Sequence, residues 1–459
     1  MQSSLRSLAV LLFALVLLLG GVVVSAAQSG AAASAPSTQT TPPPAAQPAT
    51  QPTSTTGYSL PPDKLAHART LGRIRTALDI ANSFWGFAFM LVFLATGWAA
   101  RLSNWSLAVA KSRWRQGLLF FSLFTVISTL VSLPLDLIGH AVGLHYGISV
   151  QSWLSWFGDQ GKSLAIGILL GSLVMLLFNW LVKILPRFHW VAIWGVFIPL
   201  MLASIFASPL IIDPLFNKFE PLTAHHAELA AKLETVVART GNNIPPERMF
   251  LMKASAKSNG INAYVTGIGS SKRFVMWDTT TDRMPTDEVM FIFGHESGHY
   301  ILNHIPKLIC GMIVSMFFVF WFCSAATRRV VAARAARWGF AESPEGVAPV
   351  ATRPGFLVLL LALSVVMFLF QPVTNAFSRH FEHEADVYGQ EAIHGLVAHP
   401  NLTTVSAFNH LGEAWLEDPD PNPVVEFWEY NHPSVNKRAT FAAHYDPWLA
   451  GGHGEFFDK

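Results

Sequence analysis

Cysteine is nearly absent. The 459 residues include 2, Cys310 and Cys323, both within one apolar stretch. On a shared helix they would lie about 20 Å apart, beyond disulfide reach, and so few thiols exclude a cysteine-ligated zinc site. Charge is scarce as well: Asp, Glu, Lys and Arg make up 13% of the chain, against about 25% in an ordinary soluble domain. The formal net charge is +2 and no long basic run is present, which excludes nucleic acid as a partner. Apolar residues fill the space that charge leaves. The sequence is 51% hydrophobic, with 15 Trp, 34 Phe and a mean hydropathy of +0.38. Such proportions suit lipid-facing helices with interfacial aromatic belts. They describe a polytopic membrane protein whose solvent is the lipid bilayer.

Residues 1–27 carry Arg6, an apolar run over 8–24 and then Ser25, Ala26 and Ala27. That is the layout of a signal peptide, and at about 17 residues the run also suffices for a first membrane span. Residues 28–57 are almost wholly Ala, Ser, Thr, Gln, Pro and Gly, a composition that cannot bury a core and predicts a disordered tether. Residues 58–212 are expected to form membrane helices. They open on a charged helical stretch with Lys64, Arg69, Arg73 and Arg75. Apolar stretches of spanning length follow at 81–100, 117–139, 163–184 and 190–212, and again within 305–376 at 305–325 and 355–376. Pro134, Pro199 and Pro209 are tolerable where neighbouring helices satisfy the freed carbonyls. Asp136, near one end of its span, reads as an interfacial carboxylate. The expected architecture is mainly α, a membrane helical bundle of six to seven spans.

Two polar segments interrupt this pattern. Residues 213–304 contain an amphipathic helix over 223–239 and strand-like runs at 249–253, 263–267 and 273–277, with a hairpin connection at 267–271. A small β-sheet is therefore expected just ahead of the helix described next. Residues 377–459 contain helical runs but little strand signal.

Residues 291–304 read FIFGHESGHYILNH, and His295, Glu296 and His299 make an HExxH motif. Thr286 reads as an N-cap, with Asp287 and Glu288 as helix-start charges. Positions i and i+4 share a helix face, so both imidazoles can bind one zinc ion. Glu296 lies about 100° around the helix, close enough to act as general base. Gly294 and Gly298 each cost about 1 kcal/mol against Ala in a helix interior, which points to a close approach on that face.

A catalytic zinc needs a third protein ligand and an open fourth position. Residues 378–386 read SRHFEHEAD and offer Glu382, Glu384 and Asp386. Glu382 and Asp386 are i,i+4, so one can ligate while the other supports a ligand histidine. The extended HExxHxxGxxH pattern is excluded, because Leu302 and Ile305 occupy its glycine and histidine positions. His304 is out of register and reads as an interfacial or surface residue.

HESGH followed by SRHFEHEAD, with one pair of spans between, resembles the type I CAAX prenyl endopeptidases. These are integral-membrane zinc metalloendopeptidases related to the bacterial heat-shock membrane protease. The family pairs HExxH with N-x-x-S-R-x-x-E-x-x-A-D, and Asn375, Ser378, Arg379, Glu382, Ala385 and Asp386 match every position. The resemblance implies a zincin-type metallopeptidase domain with Glu382 as third ligand to one Zn²⁺, and Asp386 and Arg379 behind the ligands. Residues 262–280 resemble the family's edge strand and hairpin, which implies that Asn262 and Ala263 hold the substrate backbone as an added strand. Near the C-terminus, NHPSVNKR places His432 and Arg438 at the family's spacing, where they are implied to steady the oxyanion or substrate carbonyl. The resemblance covers nearly all of the chain after residue 58.

The resulting expectation is a membrane zinc endopeptidase acting on peptides or membrane proteins, in proteolytic processing or quality control. In that reading His295, His299 and Glu382 hold the metal, and Glu296 takes the proton of the attacking water. The competing reading is a scaffold or transporter with a relic metal site, which an intact Glu296 disfavours. Two crossings between HExxH and Glu382 return the chain to one side of the membrane. The opposite loops carry Arg101, Lys111, Arg113, Arg115, Lys183, Arg187, Arg328, Arg329, Arg334 and Arg337. By the positive-inside rule that side is cytoplasmic, so the catalytic face is expected on the periplasmic side of a bacterial inner membrane. The basic stretch from Lys64 to Arg75 and the cytosolic orientation of eukaryotic family members argue the other way.

Overall fold

The computed structural model describes residues 56–267 and 272–457; the leader over 1–27 and nearly all of the tether lie outside the described residues. In chain order the first helices are α1 (Pro62–Ala95), a short α2 (Trp98–Val109), α3 (Arg113–His145), α4 (Trp153–Ile184) and α5 (His189–Ala207). Next come β1 (Phe219–Pro221), α6 (Ala227–Thr240), β2 (Met249–Met252), β3 (Ala263–Thr266), β4 (Arg273–Trp277), α7 (Asp278–Arg283) and α8 (Thr286–Ile301). The chain then forms α9 (His304–Arg334) and α10 (Arg353–Ala392), followed by α11 (Pro400–Trp415), α12 (Pro423–Glu429) and α13 (Val435–His444).

Six of these helices are long and apolar enough to cross a membrane: α1, α3, α4, α5 with its extension to Phe216, α9 and α10. Hydroxyl caps set three of their starts, where Ser112, Ser152 and Thr352 accept from the backbone N–H three residues on. Proline is carried inside as expected at Pro134 and Pro199, and also at Pro372, while Pro209 lies in a wide π-turn over Ser208–Ile212 near the end of the fourth span. Arg273 at the start of β4 donates to Pro209 O (2.6 Å) and so ties this exit to the sheet. With the six crossings among the described residues, 96–112, 185–188 and 335–352 lie on one side, and the sheet, α8 and the described residues beyond α10 lie on the other.

The 34 residues of α1 extend about 51 Å, well beyond the ~30 Å hydrocarbon core. Its first turns therefore stand clear of the bilayer on the sheet side. There Lys64 pairs with Glu413, Arg69 lies 3.9 Å from Asp418, and Arg75 donates to Trp415 O at 3.1 Å. Lys64, Arg69 and Arg75 of the basic stretch thus have partners within the protein. Asp136 lines an open cavity of about 290 Å³ shared with Arg75, Asp79 and His140.

The sheet has the order β1-β2-β4-β3. β2 runs parallel to β4, and β3 runs antiparallel to it with Ala263 opposite Met276 and Val265 opposite Phe274. β3 is consequently an edge strand. β1 was not expected; three residues ending in Pro221 carry no readable period. Beneath the sheet, Phe274, Phe291, Phe293 and Phe408 are fully buried in one core with α6, α8, α11 and α13. This core fixes α8 between the sheet and α10. α8 begins with Thr286 inside the helix and Pro285 at the cap position, one residue earlier than expected. It stops at Ile301; Asn303 takes a left-handed conformation (φ 58°) and the chain turns into α9.

Candidate metal centre

Three side chains from two helices converge. His295 Nε2 and His299 Nε2 on α8 are 3.1 Å apart, and each lies 3.4 Å from a carboxylate oxygen of Glu382 on α10. These are the residues that meet as a possible metal-binding group among the described residues. Metal–ligand bonds of about 2.0–2.1 Å in a tetrahedron give ligand–ligand edges of about 3.3 Å, so the donor spacing fits one ion. Electrostatics fit as well. Burial acts to lower the His295 imidazole, but hydrogen bonding and charge from Asp386 and Glu382 overcome it and lift it to about 10. The pocket thus favours positive charge at its centre.

The two helices can meet this closely because glycine lines their contact. A Cβ at Gly294 would stand 3.2 Å from Ala392 Cβ, and one at Gly298 would stand 3.0 Å from Tyr388 Cβ. The helix cost of these glycines, read from the sequence, is offset by this approach.

Each histidine is backed differently. His295 Nδ1 lies 2.9 Å from Asp386 Oδ1, and Arg438 grips the same carboxylate with Nε at 2.8 Å and an Nη at 2.6 Å. Burial works against the Arg438 charge, yet Asp386 outweighs it and holds the guanidinium firmly protonated. His299 Nδ1 lies 3.1 Å from His304 Nδ1, and His304 Nε2 lies 2.9 Å from Glu384 Oε2. His304 is fully buried, contrary to the surface position expected for it. No spacing rule signals this pairing, because it depends on the turn at Asn303 and on how α10 packs.

Glu296 faces the edge strand. Val265 N donates to Glu296 Oε2 at 3.2 Å, and burial raises this carboxyl above the usual range against the pull of His295 and His299. Asn262, just before β3, has its backbone turned inward: its N–H donates to Thr280 Oγ1 (2.9 Å) and its carbonyl accepts from Trp277 N (3.0 Å). Alternation in an antiparallel pair then directs the main-chain groups of Ala263 and Val265 to the open edge. His432 Nε2 is 3.2 Å from Glu382 Oε2, with 48% of its side chain exposed. Arg379 does not point at the ligand cluster. Its guanidinium donates to the carbonyls of Glu426 (3.2 Å) and Tyr430 (2.5 Å), and Asn375 donates to Trp428 O (2.6 Å). Both residues hold the end of α12 and the loop that carries His432.

The CAAX prenyl protease N-terminal family, described as five membrane helices, matches residues 45–218, and peptidase family M48 matches residues 223–446. The chain is similar to an uncharacterized metalloprotease, YhfN, of Bacillus subtilis, with 34% identity over 381 residues, 83% of this chain and 86% of that one. It is 28% identical to CAAX prenyl protease 1 of Saccharomyces cerevisiae over 397 residues, 81% of this chain and 84% of that one. The crystal structure of Ste24p from S. mikatae has a similar fold, with TM-score 0.70 and 25% identity over 83% of this chain and 89% of that one. Enzymes of peptidase family M48 use a metal cofactor and cleave peptide or protein substrates. The chain belongs to peptidase family M48 and is an integral-membrane metalloendopeptidase.

Proposed function

We propose that the metal is zinc, held by His295, His299 and Glu382, and that the substrate is an extended peptide laid along β3. The observation that carries this reading is the convergence of three donor atoms beside a buried Glu296 and an open strand edge. A bound zinc ion supplies a Lewis acid for the attacking water and the scissile carbonyl. Glu296 takes the proton from that water and passes it to the leaving amine. A carboxyl raised by burial suits both halves of that transfer. The main-chain groups of Ala263 and Val265 pair with the substrate backbone, and the Asn262 side chain closes the end of that track. His432, on the open side of the cluster, steadies the oxyanion. Arg438 is occupied by Asp386 and acts through His295.

In this reading residues 213–304 and 377–459 together make the peptidase half, and 58–212 with 305–376 make the membrane half. Arginine-rich loops opposite the site support a catalytic face outside the cytoplasm, on the periplasmic side of a bacterial inner membrane. The names of the relatives point to prenylated C-terminal peptides, and a site at the membrane edge suits lipid-anchored or membrane-protein chains. Glu296→Gln tests the assignment. Zinc should remain with the purified protein while cleavage falls by orders of magnitude, and peptide termini found in wild-type cells and absent in the variant identify substrates. Activity surviving in Glu296→Gln overturns the base. A reporter fused at residue 459 that works only in the cytoplasm overturns the orientation.

A further inference from the structure

We propose that His304 and Glu384 are positioning residues that fix the tautomer and aim of His299. The proposal rests on His299 being a metal ligand. A neutral imidazole has one N–H donor and one acceptor nitrogen, and an ionised carboxylate only accepts. Glu384 Oε2, 2.9 Å from His304 Nε2, therefore keeps the His304 proton on Nε2. His304 Nδ1 is left as an acceptor. The 3.1 Å contact between the two Nδ1 atoms then requires the proton on His299 Nδ1. That leaves the lone pair of His299 on Nε2, directed at His295 and Glu382.

Packing makes the arrangement rigid. His304 is fully buried and stacks on Phe381 with ring centroids 4.6 Å apart and 17° between planes. The left-handed turn at Asn303 is what brings the first residue of α9 back against α8. On the His295 side the carboxylate of Asp386 makes direct contact. On the His299 side an imidazole is interposed, so the carboxylate acts at one remove.

The test is the zinc dissociation constant of the full chain in detergent, measured by competition with a chelator. His304→Phe keeps the bulk and the stack on Phe381 but removes the hydrogen bonds; it should weaken zinc about 10–100-fold. His304→Gln, whose amide oxygen can accept from His299 Nδ1, should recover part of that loss. Glu384→Gln should shift affinity in the same direction as His304→Phe. Wild-type affinity in His304→Phe overturns the proposal, as does an equal loss in the Phe and Gln variants, which would assign the effect to packing. His299→Ala separates the two levels: if it still binds zinc as wild type does, the ligand assignment itself fails.

Discussion

Gly389 on α10 lies directly beneath His295: a Cβ built on it would fall 2.8 Å from the His295 backbone nitrogen and 3.0 Å from its Cα. Backbone cannot yield as a flexible side chain can, so Gly389→Ala must push α8 and α10 apart. Overpacking of this kind costs about 1–3 kcal/mol, and here the separation acts on the very pair of helices whose donors converge. Gly389→Ala should lower the unfolding midpoint and lose zinc. Gly311→Ala on α9, where a Cβ would meet nothing within 4 Å, should do neither. Thermal unfolding and metal content of the two purified variants check this.

Asp386 serves two partners, and substitution can separate them. Its side chain is 5% exposed and that of Arg438 10%, so Asp386→Ala leaves a buried guanidinium without its counter-charge. Breaking such a pair costs about 3–5 kcal/mol. Replacing both members by apolar residues, as in Asp386→Leu with Arg438→Met, should restore most of that stability. It should not restore zinc affinity, because His295 Nδ1 still lacks its acceptor. Recovery of both properties in the double variant would mean that Asp386 matters only through Arg438.

The parts of this molecule that were legible in the sequence are those set by local period. His295 and His299 share a face because they are four residues apart, and the strand over Arg273–Trp277 fell where the β-rich run ended at Trp277. Glu382 came from motif resemblance, and its meeting with the histidines needed only an even number of crossings. What could not be read depends on contacts between distant elements. His304 is buried because one residue, Asn303, turns left-handed. Arg379 sits within the family's motif yet reaches the carbonyls of Glu426 and Tyr430, more than forty residues on, because α12 packs beside α10. No spacing rule encodes that reach.

Glu288 lies in the first turn of α8, as its reading as a helix-start charge implies, and it is buried there, accepting from Ser406 Oγ (2.5 Å) while lying 2.7 Å from His410 Nδ1. The hydrogen bond to Glu288 raises the His410 imidazole above its ordinary value, with burial opposing. A base whose folded-state pKa is raised contributes stability that is fully present below its unfolded value of about 6.5. That contribution is lost as pH rises through the folded value. Thermal unfolding of wild type and His410→Gln should therefore differ most at mildly acidic pH and converge at alkaline pH. A constant difference across that range would show that the pair contributes packing and no charge.

The edge strand offers the sharpest separation between fold and function. Trp277 N donates to Asn262 O, and the register sets Tyr264 opposite Val275 and Val265 opposite Phe274. Tyr264 is therefore bonded to β4, and the N–H of Val265 points away from β4, to Glu296 in the free enzyme. Proline lacks that N–H and is accepted at sheet edges only where no ladder bond is needed. Val265→Pro should keep the sheet, with an unfolding midpoint close to wild type and zinc retained. Its kcat/KM should fall by about two- to tenfold, the worth of one hydrogen bond of about 0.5–1.5 kcal/mol to the substrate backbone. Tyr264→Pro removes a bond of the ladder and should lower the unfolding midpoint, with activity lost as a consequence. If Val265→Pro is instead the variant whose unfolding midpoint falls, the alternation along β3 is reversed and the substrate track belongs to Tyr264 and Thr266. If Val265→Pro cleaves peptides as wild type does, the substrate does not pair with this edge.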